Sequence, residues 1–109
     1  MQRRILTVAL LAAAMSATWA ANKQPTLDDA QRAYHSGQFG RSLAMYEALA
    51  ARHNAEAAEC AGFMLLMGEP MYGPQVRRDV ERAKEFLVQA AAAGRGGAGF
   101  LLNMVERTD

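Results

Sequence analysis

The side chains best suited to chemistry are His35 and His53, the carboxylate pairs Asp28-Asp29 and Glu81/Glu85, Ser36, Ser42, Cys60 and the run Gly94-Arg95-Gly96-Gly97-Ala98-Gly99. Metal ligation needs several donors at short spacing, and the two histidines stand 18 residues apart with no His or Cys partner. Each sits at a predicted helix end, where the dipole favours an imidazole. General acid-base work needs burial to tune carboxylates. Asp28-Asp29 read instead as a helix start and Glu81/Glu85 as a solvated face. Neither Ser36 nor Ser42 has a Gly-x-Ser-x-Gly context, and Ser16 lies in the apolar N-terminal run. The glycine-rich run follows no predicted strand, so it reads as a flexible turn rather than a phosphate cradle. Cys60, in an Ala-rich helical stretch, reads as a small buried apolar side chain, with an intermolecular disulfide as the alternative. No residue is assigned a catalytic or metal-binding role, and no cofactor is expected.

The elements that would position these residues are all helical. Thr26 is an expected N-cap, followed by acidic Asp28 and Asp29 and a helix to about Ser36, with Gly37 as its left-handed stop. A second helix starts near Phe39 or Gly40. Its apolar positions Phe39, Leu43, Tyr46 and Ala50 recur at three- and four-residue steps, Leu49 widens the stripe, and Arg52-His53-Asn54 end it. Asn54 can cap a third helix from Ala55 to Met67, which leaves little polar surface. Gly68-Glu69-Pro70 ends that helix, and a loop is predicted from Gly68 to Arg78. Asp79 caps a fourth helix, with Val80, Ala83, Leu87 and Ala90 on one face and Phe86 and Ala91 beside them. Glu81, Arg82, Lys84 and Glu85 lie opposite, and Gly94 closes the helix. Ala98, Leu101, Leu102 and Val105 give a short fifth helix. No stretch alternates with period two, so the expectation is an all-α chain of about five helices.

A basic start at Arg3 and Arg4, apolar and small residues from Ile5 to Ala17, and Thr18-Trp19-Ala20 make residues 1–20 an expected cleavable secretory signal. A retained anchor is the alternative, although the run is shorter than the roughly 20 apolar residues needed to span a bilayer. No Cys follows the cleavage position, so lipid attachment there is not expected. Without Arg3 and Arg4, ten Lys and Arg face eleven Asp and Glu, a formal charge of −1. That balance gives no reason to expect nucleic acid or an anionic membrane as partner. No later apolar run is long enough to span. A single cysteine cannot build an internal disulfide framework.

The spacing of small residues resembles a Sel-one-like repeat. Ala57 opens the unit, Ala61-Gly62 stands for its Leu-Gly, and Leu65 replaces its tyrosine. Gly68 ends the first helix. Val76 and Asp79 match its Gly-Val-x-x-Asp piece, with Gln75 in place of glycine. Arg82-Ala83 stands for Lys-Ala and Phe86 for tryptophan, while Ala90, Ala91 and Gly94 match directly. Ala98 begins a further unit 41 residues after Ala57, a period longer than usual, with the excess in Glu69–Gly73. Residues 26–54 are similar to a tetratricopeptide unit at Ala30, Gly37, Phe39, Ser42, Tyr46 and Leu49. The resemblance implies a short α-α solenoid. After the polar tail 21–25 come a tetratricopeptide-like hairpin, 26–54, a Sel-one-like hairpin, 55–94, and a terminal capping helix, 95–109. Small side chains permit close helix crossings: Ala57, Ala61, Gly62, Ala90 and Ala91 are the expected contact points. Phe86 and Leu87 supply bulk, and Gly94 makes the turn.

Such a resemblance implies a protein-binding adaptor serving cell-envelope or secretion assembly in the periplasm of a Gram-negative bacterium. A peptide or partner segment would lie along the face lined by the first helix of each hairpin. The alternatives are an enzyme or enzyme inhibitor acting on cell-wall substrates, and a small envelope stress protein. Solenoid ends expose apolar surface unless capped, so the last helix is either a cap or a stacking face for a partner or a second copy. The long connection offers one candidate contact surface: Met71 and Tyr72 between Pro70 and Pro74, followed by Arg77 and Arg78. Exposed Met, Tyr and Arg are typical of interfaces. Alternatively, Met71 and Tyr72 fold back over the end of the hairpin.

Overall fold

The computed structural model describes residues 24–108. They form an all-α fold with six helices: α1 (Leu27–His35), α2 (Phe39–Ala51), α3 (Ala55–Met67), α4 (Glu69–Tyr72), α5 (Val80–Ala92) and α6 (Gly96–Thr108). A 3-10 turn, Gly73–Gln75, follows α4, and no strand occurs among the described residues. The expected secretory signal, residues 1–20, lies outside the described residues.

Local chemistry sets most boundaries. Thr26 and Asp29 form a reciprocal capping box. Thr26 Oγ1 accepts from the Asp29 N–H at 3.1 Å, and Asp29 Oδ2 accepts from the Thr26 N–H at 3.0 Å. That backbone donor foremost holds the Asp29 carboxyl below its ordinary value. Asn54 and Asp79 cap α3 and α5 by accepting from the N–H groups of Ala57 and Arg82. Gly37 and Gly94 take positive φ, +80° and +92°, where α1 and α5 stop. After α2 the left-handed position falls to His53 (φ 67°), a conformation uncommon outside glycine.

Consecutive helices pack in order: α1 on α2, α2 on α3, α3 on α5 and α5 on α6, with α3 and α5 making the most extensive pair. Turns of a few residues oblige α1 and α2, α2 and α3, and α5 and α6 to run antiparallel. The apolar interior has two parts, and α3 contributes to both. Ala57, Ala61 and Met64 join Ala30, Tyr46 and Leu49. Ala58, Leu65 and Leu66 join Ala83, Leu87, Ala90, Ala98 and Val105. Close approach depends on small side chains. A Cβ on Gly62 would lie 2.8 Å from Leu87 Cγ. Ser42, fully buried between α1 and α2, donates to the Ala30 carbonyl at 2.8 Å. On the far side α2 and α5 are linked by Arg82–Glu47 at 2.8 Å and by Gln89 Nε2 donating to the Ala50 carbonyl at 2.7 Å.

Two elements differ from expectation. The segment predicted as a loop contains α4, because Pro70 lies in the first turn of that helix, where no intrahelical donor is required. The last helix is not short: α6 has 13 residues, as many as α2, α3 and α5. Gly96, Gly97 and Gly99 disfavour helix in isolation, but burial of Ala98 and Val105 supplies the tertiary stabilisation that sustains helices in proteins. Gly97 also leaves room for Glu59, whose Oε2 would stand 2.8 Å from an added Cβ.

Candidate functional site

The connection between α3 and α5 is a strut with one inward and one outward side. Of the contact residues named from the sequence, Tyr72 follows the alternative and folds back over the first hairpin, buried at 4% exposure. Its ring meets Tyr34 edge-on at 5.7 Å and Phe39 at 5.0 Å, and its hydroxyl shares a 3.0 Å hydrogen bond with that of Tyr34. Burial, with that bond second, raises the phenol well above its ordinary value. The physical reason for the inward turn is α4, which carries the ring back over the first hairpin. Gln75 completes the brace: its Nε2 donates to the Gly37 carbonyl at 3.0 Å, and its Oε1 accepts from the Gly40 N–H at 3.2 Å. Val76 is fully buried below it.

The outward side carries Met71, Arg77 and Arg78, all exposed. The backbone there is held firmly. The Asp79 N–H donates to the Leu65 carbonyl at 2.9 Å. Gly68 packs so tightly on Arg78 that an added Cβ would meet the Arg78 Cα at 2.6 Å. Among the described residues, neither Arg77 nor Arg78 has a carboxylate at ion-pair distance. Arg32, Arg82 and Arg95 pair with Asp28/Asp29, Glu47 and Glu59.

Beside Arg78 lies an open depression of about 310 Å³ between α3 and α6, lined by Leu66, Met67, Arg78, Met104 and Val105. Met104 is 48% exposed, and Phe100, one turn earlier on α6, is 66% exposed. Phe63 precedes Met67 by one turn on α3 and is half-buried. A second depression, about 770 Å³, lies at the other end of the molecule against α1 and α2. Its lining is more polar and includes Asp29, Arg32, Gln38 and Arg41. Asp29 and Arg32 already pair at 3.1 Å.

The residues considered for chemistry stay apart. His35 and His53 are exposed, and His35 meets the Tyr34 ring edge-on at 5.8 Å. Asp28 and Asp29 pair with Arg32, and Glu81 lies 3.8 Å from Lys84 on the outer face of α5. Among the described residues no group of three His, Cys, Asp or Glu could hold a metal ion. Cys60 is half-buried. Burial foremost raises its thiol above the ordinary value. The thiolate is the nucleophile, so iodoacetamide at neutral pH should modify folded Cys60 at least roughly tenfold more slowly than the urea-unfolded chain. The same shift gives alkaline sensitivity. The folded thiol keeps its proton longer than the unfolded one, so this contribution is complete below the ordinary thiol value and is lost as pH rises through the raised one. Melting temperature followed from neutral to alkaline pH should fall less steeply in Cys60→Ala.

The small residues singled out in the sequence occupy crossings and turns. Ala57, Ala83 and Ala90 are fully buried, and Gly62 and Gly68 are in tight contact. Asp79 caps α5, and Gly94 takes the left-handed turn. Phe86 and Ala91 are only partly buried, with Arg82 stacked 5.8 Å above the Phe86 ring. Sequence reasoning did not find the α3–α6 depression or the Gln75 brace. Gln75, standing where the resemblance has glycine, was the one local signal. No family model, curated protein or solved structure matches this chain. Among the described residues no helix is long and apolar enough to cross a membrane.

Proposed function

We propose that this chain is a protein-binding adaptor built from Sel-one-like and tetratricopeptide-like hairpins. On this reading a leader spanning residues 1–20 exports it to the periplasm of a Gram-negative bacterium, where it serves cell-envelope or secretion assembly. The observation that carries the reading is the exposure of large apolar side chains, Met71, Phe100 and Met104, on a well-packed helical frame. Exposed apolar side chains scattered singly are ordinary, but Phe100 and Met104 stand one turn apart on α6, and neighbouring exposed apolar groups mark contact surfaces. Methionine suits such a surface because its flexible thioether adapts to a partner's shape.

The test has two arms. A tagged full-length chain expressed in a Gram-negative host should be recovered from the periplasm with its new N-terminus at Ala21. In-cell crosslinking should then yield a defined envelope protein with the wild type and not with Met104→Glu. A chain retained in the cytoplasm, or an identical crosslinking pattern with the variant, would contradict the proposal.

A further inference from the structure

We infer that the depression between α3 and α6 docks a segment of a partner protein that places one or two apolar side chains next to a carboxylate, with Arg78 receiving the carboxylate. The inference rests on the adaptor reading and names the partner's chemistry. At about 310 Å³ the depression is at the lower end of the range for small-molecule sites, and it is open rather than enclosing. That space suits one or two side chains of a chain lying across it. Its floor is apolar: Leu66 and Val105 are buried, Met67 is half-buried, and Met104 is half-exposed. Phe100 lies one helical turn before Met104 on α6 and is exposed.

The rim supplies the charge. Arg78 stands at the depression with its backbone fixed by the Gly68 contact and by the Asp79–Leu65 hydrogen bond next to it. Arg77 precedes it and is exposed. Asp79, Glu69 and Glu106, on the flanking elements, do not reach ion-pair distance of Arg78, and both glutamates are exposed. A guanidinium presents a planar fork that matches a carboxylate bidentately. Next to apolar surface that pairing is less screened than in open water.

The α6 surface disfavours another copy as the occupant, because it offers no seam for stacking a further hairpin. Where α3 turns Ala58, Gly62 and Leu65 towards α5, the corresponding positions of α6 are Gly99, Asn103 and Glu106. Asn103 and Glu106 are exposed and polar.

The test pans a random dodecapeptide phage library on the protein obtained from the full chain. The best peptide is then synthesised and its affinity measured by fluorescence polarisation. Selected peptides should place Asp or Glu beside Leu, Met or Phe, and binding should weaken with salt. Arg78→Glu and Met104→Glu should each lower affinity roughly tenfold or more, and Arg78→Gln by less. Arg41→Glu, at the other end of the molecule, should leave it unchanged. Circular dichroism establishes that each variant is folded. Peptides without acidic residues, or full affinity in Arg78→Glu, would overturn the inference and leave the adaptor reading standing. Loss of binding in Arg41→Glu alone would do the same by moving the site. A dimer in sedimentation that Met104→Glu dissociates would give the depression to a second copy. Failure to select any peptide would overturn the inference, and only if crosslinking also failed would the adaptor reading fall with it.

Discussion

Gly68→Ala should lower stability by about 4 kcal/mol. Gly68 adopts φ 60°, ψ −147°, a region essentially reserved for glycine. An added Cβ would also stand 2.6 Å from the Arg78 Cα and 2.7 Å from its backbone nitrogen. Neither is the movable end of a side chain. The backbone of residues 76–79 would have to leave α3, and with it goes the hydrogen bond from the Asp79 N–H to the Leu65 carbonyl. Gly73→Ala is the matched control. Its φ is +72°, yet an added Cβ there would meet nothing within 4 Å. Gly73→Ala should therefore show only the conformational part, about 1–3 kcal/mol. For a domain of this size each kcal/mol moves the melting temperature by roughly 4–8 °C, so thermal melts separate the two variants easily. Equal melting temperatures would show that the Gly68–Arg78 contact is not tight. Gly68→Ala should also weaken any ligand of Arg78, because that residue loses its fixed position.

The second large effect concerns the α3–α5 crossing. Leu87 is fully buried, and its Cγ and Cδ2 would each stand 2.8 Å from a Cβ on Gly62. Leu87→Ala should cost about 3 kcal/mol through lost burial and an unfilled cavity. Gly62→Leu should cost about 2 kcal/mol, overpacking being partly offset by the better helix propensity of leucine. Residues in direct contact do not add. In the double variant the leucine at 62 enters the space vacated at 87, and the total should be about 3 kcal/mol rather than about 5. Denaturant unfolding of the four proteins measures this. Simple additivity would mean that the two positions do not share one space.

What was legible in the sequence is what short-range chemistry decides. Thr26, Asn54 and Asp79 each present a side-chain oxygen to a helix start three residues away, so those caps could be read from spacing alone. Gly37 and Gly94 announce left-handed turns for the same local reason. The bounds of α3, from Ala55 to Met67, followed from Asn54 on one side and Gly68-Glu69-Pro70 on the other. Tyr72 was harder. Its burial depends on Tyr34 and Phe39, more than thirty residues away, and Pro70 looked like the start of a loop rather than the second residue of a helix. His53 carries no local signal for positive φ. The α3–α6 depression was out of reach because Met67 and Met104 become neighbours only once both hairpins are packed.

The brace has a consequence for the order in which the protein is made. Tyr34 waits for Tyr72, and the Gly37 carbonyl waits for Gln75, each pair separated by 38 positions. A nascent chain that has emerged only as far as Met67 already holds α1, α2 and α3 but lacks the ring that closes over Tyr34 and Phe39. The first hairpin therefore gains its closing ring and its Gln75 brace only after the chain has been made as far as Val76.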